Sequence, residues 1–114
     1  MFKFPRAERL RKQELRQVLL NGEKTARGYL RLYVLLMYCG SGRKAAFVVR
    51  KCRKSAVERN RYKRLLREIY RLNKHRLKND IRLVLILEKP GDGAEFSYLE
   101  KEFLTICRKA GITV

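Results

Sequence analysis

Acidic residues are scarce in this chain of 114. Eleven Asp and Glu stand against 29 Lys and Arg, for a formal net charge of +18. Chemistry that needs gathered carboxylates is therefore hard to place. Asp80 and Asp92 are isolated beside turns, and no acidic cluster suggests a Mg²⁺ site. Histidine is scarcer still: His75 is the only one, near a helix end, and no nucleophile–base pair can be built around it. Tryptophan is absent. The three cysteines, Cys39, Cys52 and Cys107, are widely spaced and form no Cys-x-x-Cys pair, so zinc-ligand spacing is missing. They read as free thiols in a reducing compartment. Long apolar runs are missing too. The longest, Leu32 to Cys39, is too short to span a bilayer. Met-Phe-Lys-Phe-Pro-Arg at the start has no signal-peptide core. A cytoplasmic location, with no membrane partner and no obligate protein partner, is expected.

What is present is positive charge on a chain able to fold. A hydrophobic fraction of 46% supports one modest core, and residues 1–114 are expected to form a single domain. A compact body at +18 repels itself, and a polyanion relieves that repulsion by releasing condensed counterions from its phosphates. Nucleic acid fits better than a membrane surface, because no amphipathic anchor or lipidation signal is evident.

Pattern places the elements. Pro5 suits a first helical turn, and Arg6 to Leu20 reads as a helix with Leu10, Leu15, Val18 and Leu19 as its apolar stripe, stopped at Asn21-Gly22. Tyr29 to Tyr38 reads as a strand. Leu30, Leu32, Val34 and Leu36 share one face, and Tyr29, Arg31, Tyr33, Leu35 and Met37 the other. After a Gly40-Ser41-Gly42 turn, Lys44 to Lys51 resumes as a strand, and the short link predicts an antiparallel hairpin. Ser55 to His75 is the strongest helix, opened by a Ser55–Glu58 capping box. Ile81 to Leu87 reads as a buried strand ended by Pro90-Gly91. Ser97–Glu100 reads as a second capping box before a last helix with Leu99, Phe103, Ile106 and Cys107 on one face. The order α-β-β-(β)-α-β-α, with the first hairpin open to division into three strands, predicts an α/β (α+β) sandwich.

On a helical wheel, Tyr62, Leu65, Leu66, Ile69 and Leu72 fall in one arc of the long helix. Arg59, Asn60, Lys63, Arg64, Arg67, Arg71 and Lys74 fall in the opposite one. An ordinary solvated face alternates acids with bases. Here Arg59, Lys63, Arg67 and Arg71 form a like-charge ladder at four-residue spacing, destabilising by a few tenths of a kcal/mol per pair, roughly, until anions fill the gaps. Guanidinium forks suit phosphate oxygens. Asn60, neutral among cations, suits a base edge or a 2′-OH, or else a local hydrogen bond.

The stretch Lys54-Ser55-Ala56-Val57-Glu58-Arg59-Asn60-Arg61-Tyr62-Lys63-Arg64-Leu65-Leu66-Arg67-Glu68, preceded by Phe47-Val48-Val49-Arg50-Lys51, resembles the signature helix and preceding strand of the bacterial ribonuclease P protein family, without a gap. The likeness extends more weakly over Arg9-Leu10, Tyr33, Leu83 to Pro90 and the last helix. It implies a two-layer sandwich with a small mixed sheet and a left-handed β-α-β crossover, against the right-handed default. It implies that Arg59, Asn60, Arg61, Lys63, Arg64 and Arg67 contact a catalytic RNA, with Arg50, Lys51 and Arg71 beside them. It also implies a cleft for the single-stranded 5′ leader of precursor tRNA, with Tyr33 matching a cleft aromatic. Arg31 and Tyr29, on the same strand face by the alternation above, are added as cleft candidates. Leu15 and Leu19 complete the cleft candidates, standing where the family's first helix has phenylalanines once a one-residue gap is allowed, and Leu30 replaces a frequent aromatic. Lys54 replaces a usual glycine, and Cys52 a basic residue. By the same resemblance the RNA carries out hydrolysis with Mg²⁺, and the protein binds no cofactor with its own side chains. The protein screens repulsion between two RNAs, grips the leader and supports the metal-loaded RNA fold. The competing expectation is a ribosomal or ribosome-associated RNA-binding protein without a catalytic partner.

Overall fold

The computed structural model describes residues 4–38, 40–52, 55–90 and 95–114. Cys39, Lys54, Gly91 of the Pro90-Gly91 turn and Asp92 lie outside the described residues. Three helices pack around one four-stranded sheet: α1 (Lys12–Asn21), β1 (Glu23–Arg27), β2 (Leu30–Leu36), β3 (Lys44–Arg50), α2 (Ala56–Asn73), β4 (Ile81–Glu88) and α3 (Phe96–Lys109). The strand order is β1-β2-β4-β3. β1–β2 and β2–β4 are antiparallel, β3–β4 is parallel, and α2 makes the crossover. This is the mixed α+β sandwich that the sequence predicts.

The predicted Tyr29–Lys51 hairpin does not form. The Gly40-Ser41-Gly42 link joins β2 to β3, but β4 lies between them. Every residue of β4 except Glu88 is buried. A strand apolar on both faces belongs at the centre, where both its edges are also paired. The link is pinned to β4 instead. Asp80 accepts from the Gly42 N–H at 2.9 Å and the Ser41 hydroxyl at 3.4 Å. The buried Arg82 guanidinium donates to the carbonyls of Gly42 at 2.6 Å and Ser41 at 3.2 Å. The hairpin partner of β2 is β1, across a Gly28-Tyr29 turn in which Gly28 is left-handed at φ 55°.

The predicted first helix is also divided. Arg6–Glu8 is one 3-10 turn, Arg9 forms a parallel bridge with Ala45, and the Leu10 N–H bonds to the Ala45 carbonyl at 3.0 Å. The chain thus covers the free edge of β3 before α1 begins. The end of α1 is set by close backbone approach. A Cβ on Gly22 would lie 2.5 Å from the Val18 carbonyl oxygen and 2.9 Å from that of Val34.

The two faces of the sheet are covered unequally. Leu30, Leu32, Leu83, Leu85 and Leu87 lie under α2 and α3, packed with Tyr62, Leu66, Ile69, Tyr70, Leu99 and Phe103. On the other face α1 alone contributes a helix. Val18, Val84 and Ile86 are buried there, with Leu10, Leu15, Tyr33, Leu35, Ala46 and Val48 partly covered.

Two helix expectations shift. In α2 the buried face includes Tyr70 and Asn73, while Leu72 is exposed. Phe4 stacks edge-on against Tyr70 at 5.4 Å, and Asn73 donates to Glu100 of α3 at 2.9 Å, so contacts from distant segments rotate the buried arc. In α3 the N-cap is Glu95, and Ser97 sits inside the first turn, so the expected Ser97 box is not formed. The carboxylate of Glu100 faces Asn73 instead. The four predicted core residues of α3 are all buried.

Candidate nucleic-acid interface

Half of the expected capping box opens α2: the Ser55 hydroxyl oxygen accepts from the Glu58 N–H at 3.3 Å, while the Glu58 carboxylate faces Arg61 instead of the Ser55 N–H. Burial of Tyr62, Leu66 and Ile69 then turns the opposite side outward. Arg59, Asn60, Arg61, Arg64 and Arg67 are exposed, and Lys63 and Arg71 are half-buried. On this face the paired cations lie toward the two ends of the helix. At the C-terminal end, Arg71 is held by Glu68 in a two-pronged pair, one prong (Nε to Oε2) at 3.0 Å, and Lys74 meets Glu8 at 3.0 Å. The Arg71 pairing holds the Glu68 carboxyl below its ordinary range. The cationic arc is therefore not free of acids over its whole length. Toward the N-terminus, Arg59 donates to the Cys52 carbonyl at 3.4 Å, and Arg61 lies 3.5 Å from Glu58 and over the Tyr62 ring. Lys63, Arg64 and Arg67 have no hydrogen-bond or ion-pair partner among the described residues. The unpaired cations thus sit in the third and fourth turns of α2, between paired groups on either side.

The cleft candidates divide. Tyr33 and Leu15 come together on the face that α1 half covers. Leu19 is exposed at 36% and does not join that cluster. Arg31 reaches the rim, where its guanidinium donates to the carbonyls of Gly28 at 2.7 Å and Leu30 at 2.9 Å. Tyr29 does not share the face of Tyr33. It lies in the turn before β2 and packs against Tyr98 of α3, ring centroids 6.2 Å apart, because a turn breaks the strand alternation.

Three contributors escaped the sequence pattern. Lys24, the cross-strand partner of Tyr33, places its ammonium 5.8 Å from that ring. Lys44 bridges β3 to Glu14 of α1 at 3.1 Å, bracing the helix over the sheet. Glu88 accepts from Arg50 at 3.1 Å and Lys51 at 3.4 Å. Lys24 was illegible because Glu23-Lys24-Thr25-Ala26-Arg27 has no apolar alternation to mark a strand. The other two depend on long-range pairing.

Among the described residues no group of three or more His, Cys, Asp or Glu could hold a metal ion. No helix there is long and apolar enough to cross a membrane. A small sandwich that presents an exposed helix face of unpaired arginine and lysine belongs to the class of RNA-binding protein subunits.

A family model, Ribonuclease P, matches residues 4–111. The ribonuclease P protein component of Dictyoglomus thermophilum is 37% identical over 118 aligned residues, covering 97% of this chain and 94% of that protein. That of Finegoldia magna is 40% identical over 83, covering 72% and 74%. In fold, the chain matches the Staphylococcus aureus RNase P protein with a TM-score of 0.80 at 16% identity, covering 94% of this chain and 98% of that one. The Thermotoga maritima protein matches with 0.77 at 23% identity, covering 90% and 96%. The chain belongs to the ribonuclease P protein family, the protein component of the endoribonuclease that processes the 5′ end of tRNA.

Proposed function

We propose that this chain acts as one RNA-binding unit with two faces. The α2 face, through Arg59, Asn60, Arg61, Lys63, Arg64 and Arg67, binds the catalytic RNA of ribonuclease P, with Arg50 and Lys51 extending it along β3. Arg71 contributes less, because Glu68 already occupies it. The sheet face under α1, around Tyr33, Leu15 and Arg31, takes the 5′ leader of precursor tRNA. The observation that carries this reading is the run Lys63, Arg64 and Arg67, exposed or half-exposed and without partners among the described residues.

The chemistry belongs to the RNA. Several described carboxylates are engaged by separate bases or amides: Glu8 by Lys74, Glu14 by Lys44, Glu68 by Arg71, Glu102 by Arg27 and Glu100 by Asn73. They do not converge, so the Mg²⁺ that hydrolysis requires is held by RNA phosphates. The protein lowers repulsion between two polyanions and so lowers the Mg²⁺ needed. It grips the leader and so favours precursor over mature tRNA. The site of action is the bacterial cytoplasm.

The deciding experiment is precursor-tRNA cleavage at low Mg²⁺, using a bacterial ribonuclease P RNA with and without this protein. Cleavage at the mature 5′ end only when both are present is the expected result. Tight RNA binding without stimulation, across more than one type of partner RNA, would contradict it.

A further inference from the structure

Glu88 differs from the other paired acids. Elsewhere one carboxylate meets one cation, as in Glu102 with Arg27 or Glu14 with Lys44. Glu88 takes two, one on each oxygen: Arg50 on Oε2 at 3.1 Å and Lys51 on Oε1 at 3.4 Å. Its side chain is 17% exposed, against 48% for Arg50 and 59% for Lys51. The acid thus lies beneath, and the cations keep donors facing water. The field of Arg31 reaches it as well. Burial would raise its pKa, but the Lys51 hydrogen bond and the charges of Lys51, Arg50 and Arg31 outweigh that and hold it ionised.

The backbone beside these pairs is unusual. β3 and β4 run parallel and both end in a left-handed lysine, Lys51 at φ 54° and Lys89 at φ 50°, with the Lys89 N–H bonded to the Arg50 carbonyl. A left-handed non-glycine residue costs more than an exposed ion pair usually returns, so stability alone does not account for the geometry.

The position matters. Arg50 and Glu88 are cross-strand partners two residues beyond Val48 and Ile86, on the face that carries Tyr33. Arg59 of α2 reaches back to the Cys52 carbonyl two residues past Arg50. The fork therefore stands where the sheet face meets the first turn of α2. Two cations around one carboxylate leave a net positive charge. A phosphodiester, like a carboxylate, offers two anionic oxygens to such a pair of cations.

We propose that Glu88 is an internal stand-in for an RNA phosphate: it holds Arg50 and Lys51 as a two-armed fork and gives them up when an RNA strand passes from the Tyr33 face toward α2. This rests on the proposed RNA contact of Arg50 and Lys51. Glu88 is a positioning residue in that arrangement. It keeps the fork formed in the free protein, and it sets the affinity threshold by competing with the incoming phosphate.

The test compares Glu88→Gln, Arg50→Ala/Lys51→Ala and their combination. Glu23→Gln, an exposed acid on β1, controls for net charge. Binding of a labelled single-stranded RNA oligonucleotide and of ribonuclease P RNA is measured across a salt series. Glu88→Gln is expected to tighten binding on the order of fivefold near about 0.15 M salt and to steepen the log K against log salt slope by about 0.7. Glu23→Gln should move neither by that amount, and the Glu88 effect should vanish when Arg50 and Lys51 are alanine. Should Glu88→Gln melt below the assay temperature, Glu88→Met repeats the test with a neutral side chain of similar length. Weakened binding by Arg50→Ala/Lys51→Ala, with Glu88→Gln no different from Glu23→Gln, would overturn the stand-in and leave the RNA contact standing. Unchanged binding by the double variant would overturn both.

Discussion

The two faces of the sheet are covered to different degrees. Under α2 and α3 the face is closed, and side chains such as Leu30, Leu66, Ile69 and Phe103 are fully buried. Under α1 the face is half open, and Tyr33, Ala46 and Val48 retain exposure beside Lys24, Arg31 and Arg50. The first face makes a charge of +18 tolerable by fixing the fold with apolar packing. The second stays incompletely covered. The outer side of α2, which covers the closed face, is exposed as well, so the uncovered surfaces lie on both sides of the sheet.

The largest expected effect tests the closed face. Leu66→Ala should lower unfolding stability by about 3 kcal/mol in urea titration, whereas Val48→Ala on the open face should cost about 1 kcal/mol. Equal losses would mean that the faces do not differ in packing. Next comes the outer side of α2. Replacing Arg59, Lys63 and Arg67 with alanine should weaken binding to ribonuclease P RNA on the order of a hundredfold and flatten the log K against log salt slope by about 2 to 3. A melting temperature close to the parent's would show that this charge serves binding and not folding. On the open face, Tyr33→Leu keeps apolar cover but removes a stacking surface worth about 1–3 kcal/mol per base. The preference for precursor over mature tRNA, read as a ratio of dissociation constants, should fall about tenfold.

The smallest effect concerns the brace that holds α1 over the open face. The Arg11 backbone N–H, bonded to the Glu14 carboxylate, lowers its pKa from the ordinary 4.5. Burial opposes this, and Lys44 and Arg82 reinforce it. A carboxylate whose folded pKa is depressed stabilises the fold fully above 4.5 and loses that contribution as pH falls through the lower folded value. Urea titrations from neutral pH into the acid range should show Glu14→Gln less stable than the parent by about 0.5 kcal/mol at neutrality, with the gap closing below pH 4.5.

How much of this was legible in the sequence follows from how local each cause is. Ser55 caps α2 through a bond to Glu58, three residues on, so both the start of the helix and the apolar arc through Tyr62, Leu66 and Ile69 could be read. The four buried residues of α3 obey the same short period. Tyr70 and Asn73 could not be read, since Phe4 and Glu100 bury them from far away in the chain. The false hairpin has the same origin: proximity in sequence favours β2 with β3, and only the placement of the almost entirely buried β4 decides otherwise. The cationic face of α2 was legible because like charges at four-residue spacing leave a trace in the sequence. The fork around Glu88 and the Lys24–Tyr33 pair were not, because each joins strands whose register the sequence does not state.

Gly22 bears on how this protein can change over generations. The atoms a new Cβ would strike are the carbonyl oxygens of Val18 and Val34, part of the main chain whatever residues stand there. A clash with a side chain can be relieved by trimming that side chain elsewhere in the gene. This one cannot, so a search for compensating second-site changes to Gly22→Ala should return little besides restored glycine.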